Sequence, residues 1–355
     1  MSPQDEEPLP FATSGRALGG EIRARPEDFR VEEVPAYLPS GDGDHLFVLF
    51  EKRDLGTEEA VRRLARALDV PTREAGWAGL KDRRAVTRQW ASFLFGDPAR
   101  LEGASIEGVT VLRAQRHRNK LRTGHLRGNR FTILLRGALA TDRAEAQARL
   151  ADLAVRGVPN AFGPQRFGRH GANRGAARQW LLEGGPAPRK PFQRKLLVSV
   201  LQSDLFHRLL RGRMHEGTFA SVIEGDLCRR EDSGGLFVPE DLAQARERAA
   251  RFEVSATGPM FGARMRWPEG EARRREAEAL AAAGLEAADL ARFRRFGPGT
   301  RRPYRVQLGE PSVEATSEGL RLLFSLPPGA YATVVLRELT RRDSAEPLAQ
   351  PPTKA

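Results

Sequence analysis

The sequence predicts a mixed α/β (α+β) protein in which a sheet-containing domain is interrupted by a mainly helical one. Two observations carry this. Strand-like alternations and helical stripes follow one another through the first 156 residues, as in a sizeable sheet with helices packed on it. From Gly157 to about Pro303 the chain turns mainly helical and charged, and strand character returns only at Tyr304. An insertion is the simplest explanation: residues 157–304 form a second domain, and residues 305–345 rejoin the sheet begun by residues 1–156. At 355 residues the chain has the length for two domains with substantial cores.

Pro26-Glu27-Asp28-Phe29-Arg30-Val31-Glu32-Glu33-Val34 alternates apolar and polar residues, as a half-buried strand does. A turn over Pro39–Gly43 leads to a strand through Leu46–Phe50. Thr57 is placed to cap a helix, with Glu58 and Glu59 in its first turn and Ala60, Val61, Leu64, Ala65 and Leu68 as its buried stripe. Residues 76–90 read as a strand, a tight loop and a second strand; Arg130–Leu135 supplies another. The alanine-rich stretch Thr141–Arg156 is a helix closed by Gly157. Helical patterns then run over Phe192–Arg213, Glu240–Phe252 and Glu271–Phe296, broken by Gly184-Gly185-Pro186, Gly258-Pro259 and Gly297-Pro298-Gly299. Strands are expected at Tyr304–Leu308, Ser312–Ala315 and Leu320–Leu326, with a helix after Gly329. The proline-rich end, residues 346–355, is expected to be disordered.

Composition narrows the function. With 58 Lys+Arg against 46 Asp+Glu the net charge is +12, the balance of a chain that gathers a polyanion such as nucleic acid. Six of those cations are lysine, and the arginine excess is also what a GC-rich genome supplies. Cys228 stands alone, so no disulfide framework is expected and a reducing compartment is. The N-terminus lacks the pattern of a signal peptide, and no apolar run approaches a membrane span, so a soluble, cytoplasmic protein without a membrane partner is expected. The histidines form no His-Glu-x-x-His pair, one cysteine cannot build a thiolate zinc site, and no Walker-type loop occurs. No metal and no cofactor are therefore expected, and side chains alone must do any chemistry.

Asp82 is the residue placed to do it. Gly76-Trp-Ala-Gly-Leu-Lys-Asp-Arg-Arg-Ala-Val-Thr-Arg-Gln-Trp90 sets one carboxylate among Lys81, Arg83, Arg84 and Arg88. Nearby cations favour the ionised form, which suits a nucleophile or base. An isolated Asp–Arg pair is more often a structural salt bridge, so the company of the loop decides. Arg127-Gly128-Asn129-Arg130-Phe131 puts an amide and a ring at the start of a strand. The segment Gly157–Gly168, including Gln165 and Arg166, is dense in glycine, amide and phenylalanine. Leu326–Leu339 opens a helix with Tyr331 at its turn, and Phe29 sits on the first strand. Singly, each serves packing or a turn. Together they offer flat rings, amides and cations near one acid, the equipment for holding an extruded base. From the residues alone this is an RNA- or DNA-directed site without a named reaction.

These same segments resemble the TruD family of tRNA pseudouridine synthases. Gly79-Leu80-Lys81-Asp82-Arg83-Arg84-Ala85-Val86-Thr87 is similar to the family's loop with its essential aspartate, Gly157–Gly168 to the opening of its insertion domain, and Gly329-Ala330-Tyr331-Ala332-Thr333 to its C-terminal motif. Pro26–Phe29 and Gly128–Phe131 match as well, and the resemblance runs in order from about residue 20 to 340. It implies a pseudouridine synthase fold, with a mixed, largely antiparallel central sheet flanked by helices and interrupted by a TRUD insertion domain. It implies that uridine 13 of tRNA is isomerised to pseudouridine without cofactor, with Asp82 as nucleophile and Phe29, Asn129 and Tyr331 lining the uridine pocket. Arg23, Lys81, Arg83, Phe131, Gln165 and Arg166 are possible supporting residues. Arg23 stands where the family often has lysine, and Tyr331 where some members have phenylalanine.

Sequence leaves open whether Asp82 bonds to the sugar or removes its 2′ proton, and whether Arg23 or Arg83 pairs with it. The expected partner is tRNA; no obligate protein partner is evident. A non-catalytic RNA-binding protein or RNA chaperone on the same fold is the main rival, but it has no need of an acid amid cations. A metal-free RNA hydrolase would want a histidine pair or second acid, and the Asp82 loop has neither.

Overall fold

The computed structural model describes residues 8–168 and 171–342, excluding the side chains of Pro164 and Gln165; the tail at 346–355 lies outside the described residues. The first part of the chain gives β1 (Glu21–Ile22), β2 (Phe29–Pro35), β3 (His45–Arg53), α1 (Thr57–Ala67), β4 (Ala75–Trp77), β5 (Val86–Leu94), β6 (Val109–His117), β7 (Leu126–Arg136) and α2 (Arg143–Arg156). Next come β8 (Val158–Pro159), α3 (Ala172–Leu181), α4 (Pro191–His215), β9 (Cys228–Arg230), β10 (Leu236–Phe237), α5 (Leu242–Ala250), β11 (Val254–Met260), α6 (Gly270–Ala281), β12 (Thr300–Pro303) and β13 (Arg305–Val306). The chain closes with β14 (Gly309–Thr316), β15 (Gly319–Leu326) and α7 (Ala332–Thr340).

These elements cluster into two compact units, Leu18–Leu150 with Leu308–Gly329, and Ala151–Gln307 with the residues up to Ala17 and from Ala330 onward. The division differs from the expected one at its edges. Tyr304–Leu308 does not return to the large sheet: β13 pairs with β8, through Arg305 opposite Pro159 and Val306 opposite Val158. The return begins at β14, and α7 clusters with the inserted residues.

The first unit is built on one nine-stranded sheet among the described residues. Its main path is β14-β15-β7-β2-β5-β3-β6, with β1 added on β7 and β4 on β5. Only the β2–β5 pairing is parallel, so the sheet is mixed and largely antiparallel, as expected. Strand β3 shows why its sequence reads as an apolar run. Leu46, Val48 and Phe50 point to one face and pack with Ala60, Val61, Leu64 and Ala65 of α1. Phe47 points to the other and packs with Trp90, Ala78 and Leu121. Each large apolar side chain so buried is worth roughly 1.5–3 kcal/mol. The late strand β15 pairs with β7 from Gly319 opposite Arg136 to Leu326 opposite Asn129, burying Leu320, Leu322, Phe324 and Leu326.

The second unit is mainly helical but also carries a four-stranded sheet, β10-β9-β11-β12, that periodicity did not reveal. Its central strand, Val-Ser-Ala-Thr-Gly-Pro-Met, is buried except at its last residue, so no alternation marks it. The helix expected over 271–296 stops at Ala281; after a turn at Gly284 the chain forms a 3-10 helix, Ala287–Phe293. At α1 the cap is Gly56 rather than Thr57, which is already helical and buries its hydroxyl.

Candidate active site

The loop between β4 and β5, residues 78–85, carries Asp82, and three buried groups fix its shape. The Lys81 N–H donates to Thr57 Oγ1 at 2.9 Å, and that hydroxyl donates to Gln89 Oε1 at 3.0 Å. Lys52 Nζ donates to the main-chain carbonyl of Asp82 at 2.7 Å. Lys52 is fully buried, and burial pushes its ammonium down to about 8 against the opposing pull of Asp82. Thr57, expected as a cap, is instead a strut of this loop.

Among the described residues the Asp82 carboxylate forms an ion pair with one cation. Arg23 Nη2 lies 2.9 Å from Asp82 Oδ2, with the two side chains 21% and 33% exposed, so the pair is open enough to be reached. Arg23 adopts φ of 62°, the left-handed region that a residue with a side chain rarely occupies. From there its guanidinium lies over the Phe29 ring, 3.9 Å from the centroid. Its Nε is buried with no hydrogen-bond partner. Phe29 is 1% exposed; its ring meets Phe131 edge to face at 6.2 Å, and Phe131 stacks on Phe324 at 5.4 Å. Phe131 is thus a core ring behind Phe29.

The knot of cations seen in sequence comes apart in space. Arg83 and Arg84 are exposed. Arg88, on β5, pairs with Glu51 at 2.8 Å. Lys81 turns inward, 2.8 Å from Glu33 Oε2 and 2.8 Å from Asn129 Oδ1. Asn129 stands opposite Glu33 in the β2–β7 register. The preceding Gly128 lets β15 come close: a Cβ there would sit 2.5 Å from the Leu326 carbonyl oxygen.

Tyr331 and Arg166 belong to the other unit. Tyr331 precedes α7 and meets Phe162 edge to face at 6.2 Å. Gly163 makes room for the tyrosine ring, since a Cβ there would lie 3.0 Å from Tyr331 Cδ1. Arg166 Nη1 donates to Ser199 Oγ at 3.1 Å, and its guanidinium lies 5.0 Å from the Phe162 centroid. The Phe162 N–H donates to His207 Nε2 at 2.8 Å. Burial, helped by Arg174, Arg211 and Arg302, pushes His207 down to about 3, so the ring is a neutral acceptor. The side chain of Gln165 lies outside the described residues.

Lys52, Glu33 and His207 escaped the sequence reading. A signal was present for two of them. Glu33 continues the inward phase of Phe29 and Val31, and Lys52 that of Leu46, Val48 and Phe50. A charge in the inward phase of a strand needs a buried partner, and here each partner is on or beside the Asp82 loop.

Among the described residues no group of histidine, cysteine, aspartate and glutamate could hold a metal ion, and no helix is long and apolar enough to cross a membrane. The structure thus brings together an acid held by an arginine, a ring beneath that arginine, and an amide bonded to the lysine next to the acid. The family model described as tRNA pseudouridine synthase D (TruD) matches residues 8–186 and 190–339, and the chain belongs to that family. It is 49% identical over 348 residues to the tRNA pseudouridine synthase D of Anaeromyxobacter dehalogenans (strain 2CP-C), covering 96% of this chain and 98% of that one. With a Thermus thermophilus protein of the same name it shares 46% over 354 residues, 98% of this chain and 96% of the relative. A solved chain from Methanosarcina mazei, described as a candidate tRNA pseudouridine synthase D (TruD), shares the fold. Its TM-score is 0.75 at 24% identity, with 96% of this chain and 97% of that one covered. Membership of the family carries the general activity, that of an isomerase forming pseudouridine in tRNA.

Proposed function

We propose that the protein isomerises uridine 13 of tRNA to pseudouridine, with Asp82 as the nucleophile. The observation that carries this reading is the Asp82 carboxylate itself: partly exposed, held by Arg23 at 2.9 Å and set on a loop braced by Lys52. The C1′–N1 bond breaks with its electron pair going to N1, while an Asp82 oxygen bonds to C1′. The freed uracil turns to bring C5 to C1′. C5 then bonds to C1′ as the aspartate leaves, C5 loses its proton and N1 gains one. Every atom and electron is accounted for within the nucleoside and one returning carboxylate, so no oxidant or reductant is required.

Asp82→Asn keeps the shape and removes the charge. The expected result is loss of pseudouridine formation in single turnover, with RNA affinity kept or slightly raised. Substantial activity in a folded Asp82→Asn protein would overturn the role of Asp82. Mapping pseudouridine in tRNA from cells with and without the gene tests the position: a modification that persists at residue 13, or vanishes elsewhere instead, would overturn that part.

A further inference from the structure

We infer that Lys81 is a positioning residue that fixes which way the Asn129 amide faces, and so makes the site selective for uracil over cytosine. The inference rests on the proposed uridine reaction and on the reading, implied by the family resemblance, that Asn129 lines the uridine pocket and touches the target base. An ammonium has donors and no acceptor, so the Asn129 atom 2.8 Å from Lys81 Nζ must be the carbonyl oxygen. Lys81 cannot swing away, because Glu33 Oε2 lies 2.8 Å from the same nitrogen and both side chains are almost fully buried, at 4% and 1% exposed. The Glu33 carboxylate is fixed in turn by the Trp90 N–H, which donates to Oε1 at 3.3 Å. Asn129 itself is only half-buried, and its Nδ2 makes no hydrogen bond among the described residues. The chain therefore presents a hydrogen-bond donor with its orientation already decided.

That donor suits a base that must turn during the reaction. Rotating uracil about the N3–C6 axis exchanges N1 with C5 and carries O2 to the place of O4. A fixed donor placed at O4 of the bound base thus meets a carbonyl oxygen before the turn and, at O2, again after it. Cytosine offers a carbonyl at only one of the two places and an amino group at the other, where the donor would face a donor. With the amide free to flip, the oxygen could face the amino group and the distinction would vanish. Lys81 also adjoins Asp82 in the chain, so one buried ammonium ties the reader of the base to the loop that bears the acid.

The test compares binding of tRNA transcripts carrying uridine or cytidine at the target position, and single-turnover rates with uridine. The chain should prefer the uridine transcript by about ten- to a hundredfold, the range of a good base-edge contact. The paired change Lys81→Met with Glu33→Gln removes both buried charges together. It should erase most of that preference and slow turnover about tenfold, with melting temperature and cytidine-transcript affinity nearly unchanged. Asn129→Asp leaves Lys81 in place and offers only acceptors, so it should shift preference toward the cytidine transcript; this second variant decides the matter if the paired change does not fold. Preference lost in Asn129→Ala but kept in full by the Lys81 pair, or uridine preference kept in Asn129→Asp, would overturn the inference. A preference that survives Asn129→Ala would overturn the base-contact reading beneath it.

Discussion

Lys52 and Asp82 are joined through the backbone: the fully buried Lys52 ammonium donates to the Asp82 carbonyl oxygen at 2.7 Å, while the Asp82 carboxylate faces Arg23. One cation therefore sets where the acid's main chain lies, and another meets its side chain. Burying a lysine is costly, so its retention under this loop is explained by what it holds in place.

Lys52→Met should leave tRNA affinity within a few-fold and lower the single-turnover rate by about tenfold or more, the effect of a loosened catalytic group. Stability gives an independent reading. The buried ammonium titrates at about 8, against 10.5 in a free lysine. The unfolded chain thus holds the extra proton between those values. The penalty of burial is present in full below pH 8 and is relieved as pH rises toward 10.5, by at most about 1.4 kcal/mol per pH unit. Chemical denaturation across that window should show the wild type gaining on Lys52→Met as pH rises.

His207 depends on pH in the same sense but in a lower window. Its folded value of about 3 lies below the ordinary 6.5, so the unfolded chain binds the extra proton between them. The stability from keeping the ring neutral is present above pH 6.5 and is lost as pH falls toward 3, by about 1.4 kcal/mol per pH unit. His207→Gln keeps an acceptor for the Phe162 N–H without a titrating group. Its melting temperature should fall less than that of the wild type between pH 6.5 and 4, and parallel curves would refute the assignment.

Tyr331 should act through its ring face if it meets the base. Tyr331→Phe should then be nearly neutral, whereas Tyr331→Ala should lose stacking worth roughly 1–3 kcal/mol, about ten- to a hundredfold in binding or rate. Its packing against Phe162 and Gly163 supplies the competing account, a structural ring. Melting temperature and single-turnover rate measured on the same protein separate the two. A destabilised but fully active Tyr331→Ala chain would return the residue to packing.

Truncation after Arg302 removes β14 and β15, and with them the strand that pairs with β7 along its length. The cut should abolish cooperative unfolding of the first unit, because Phe131 loses its stacking partner Phe324 and the β7 edge is bared. A soluble 1–156 fragment that melts cooperatively would contradict this.

The family, the sheet followed by an insertion, and the loop that carries Asp82 are legible in the residues alone. Those features are local: alternation, glycine-bounded turns and ordered motifs are written in neighbouring residues. Tertiary structure decided what each cation does. Lys81, Arg83, Arg84 and Arg88 look equivalent around Asp82, yet Arg23, 59 positions away, makes the contact, Lys81 goes to Glu33 and Asn129, and Arg88 goes to Glu51. The same holds for Tyr304–Leu308, whose strand character was legible but whose partner, β8, was not. Side-chain pairing and strand pairing depend on distance in space and on which charges burial forces together. Neither is fixed by proximity along the chain.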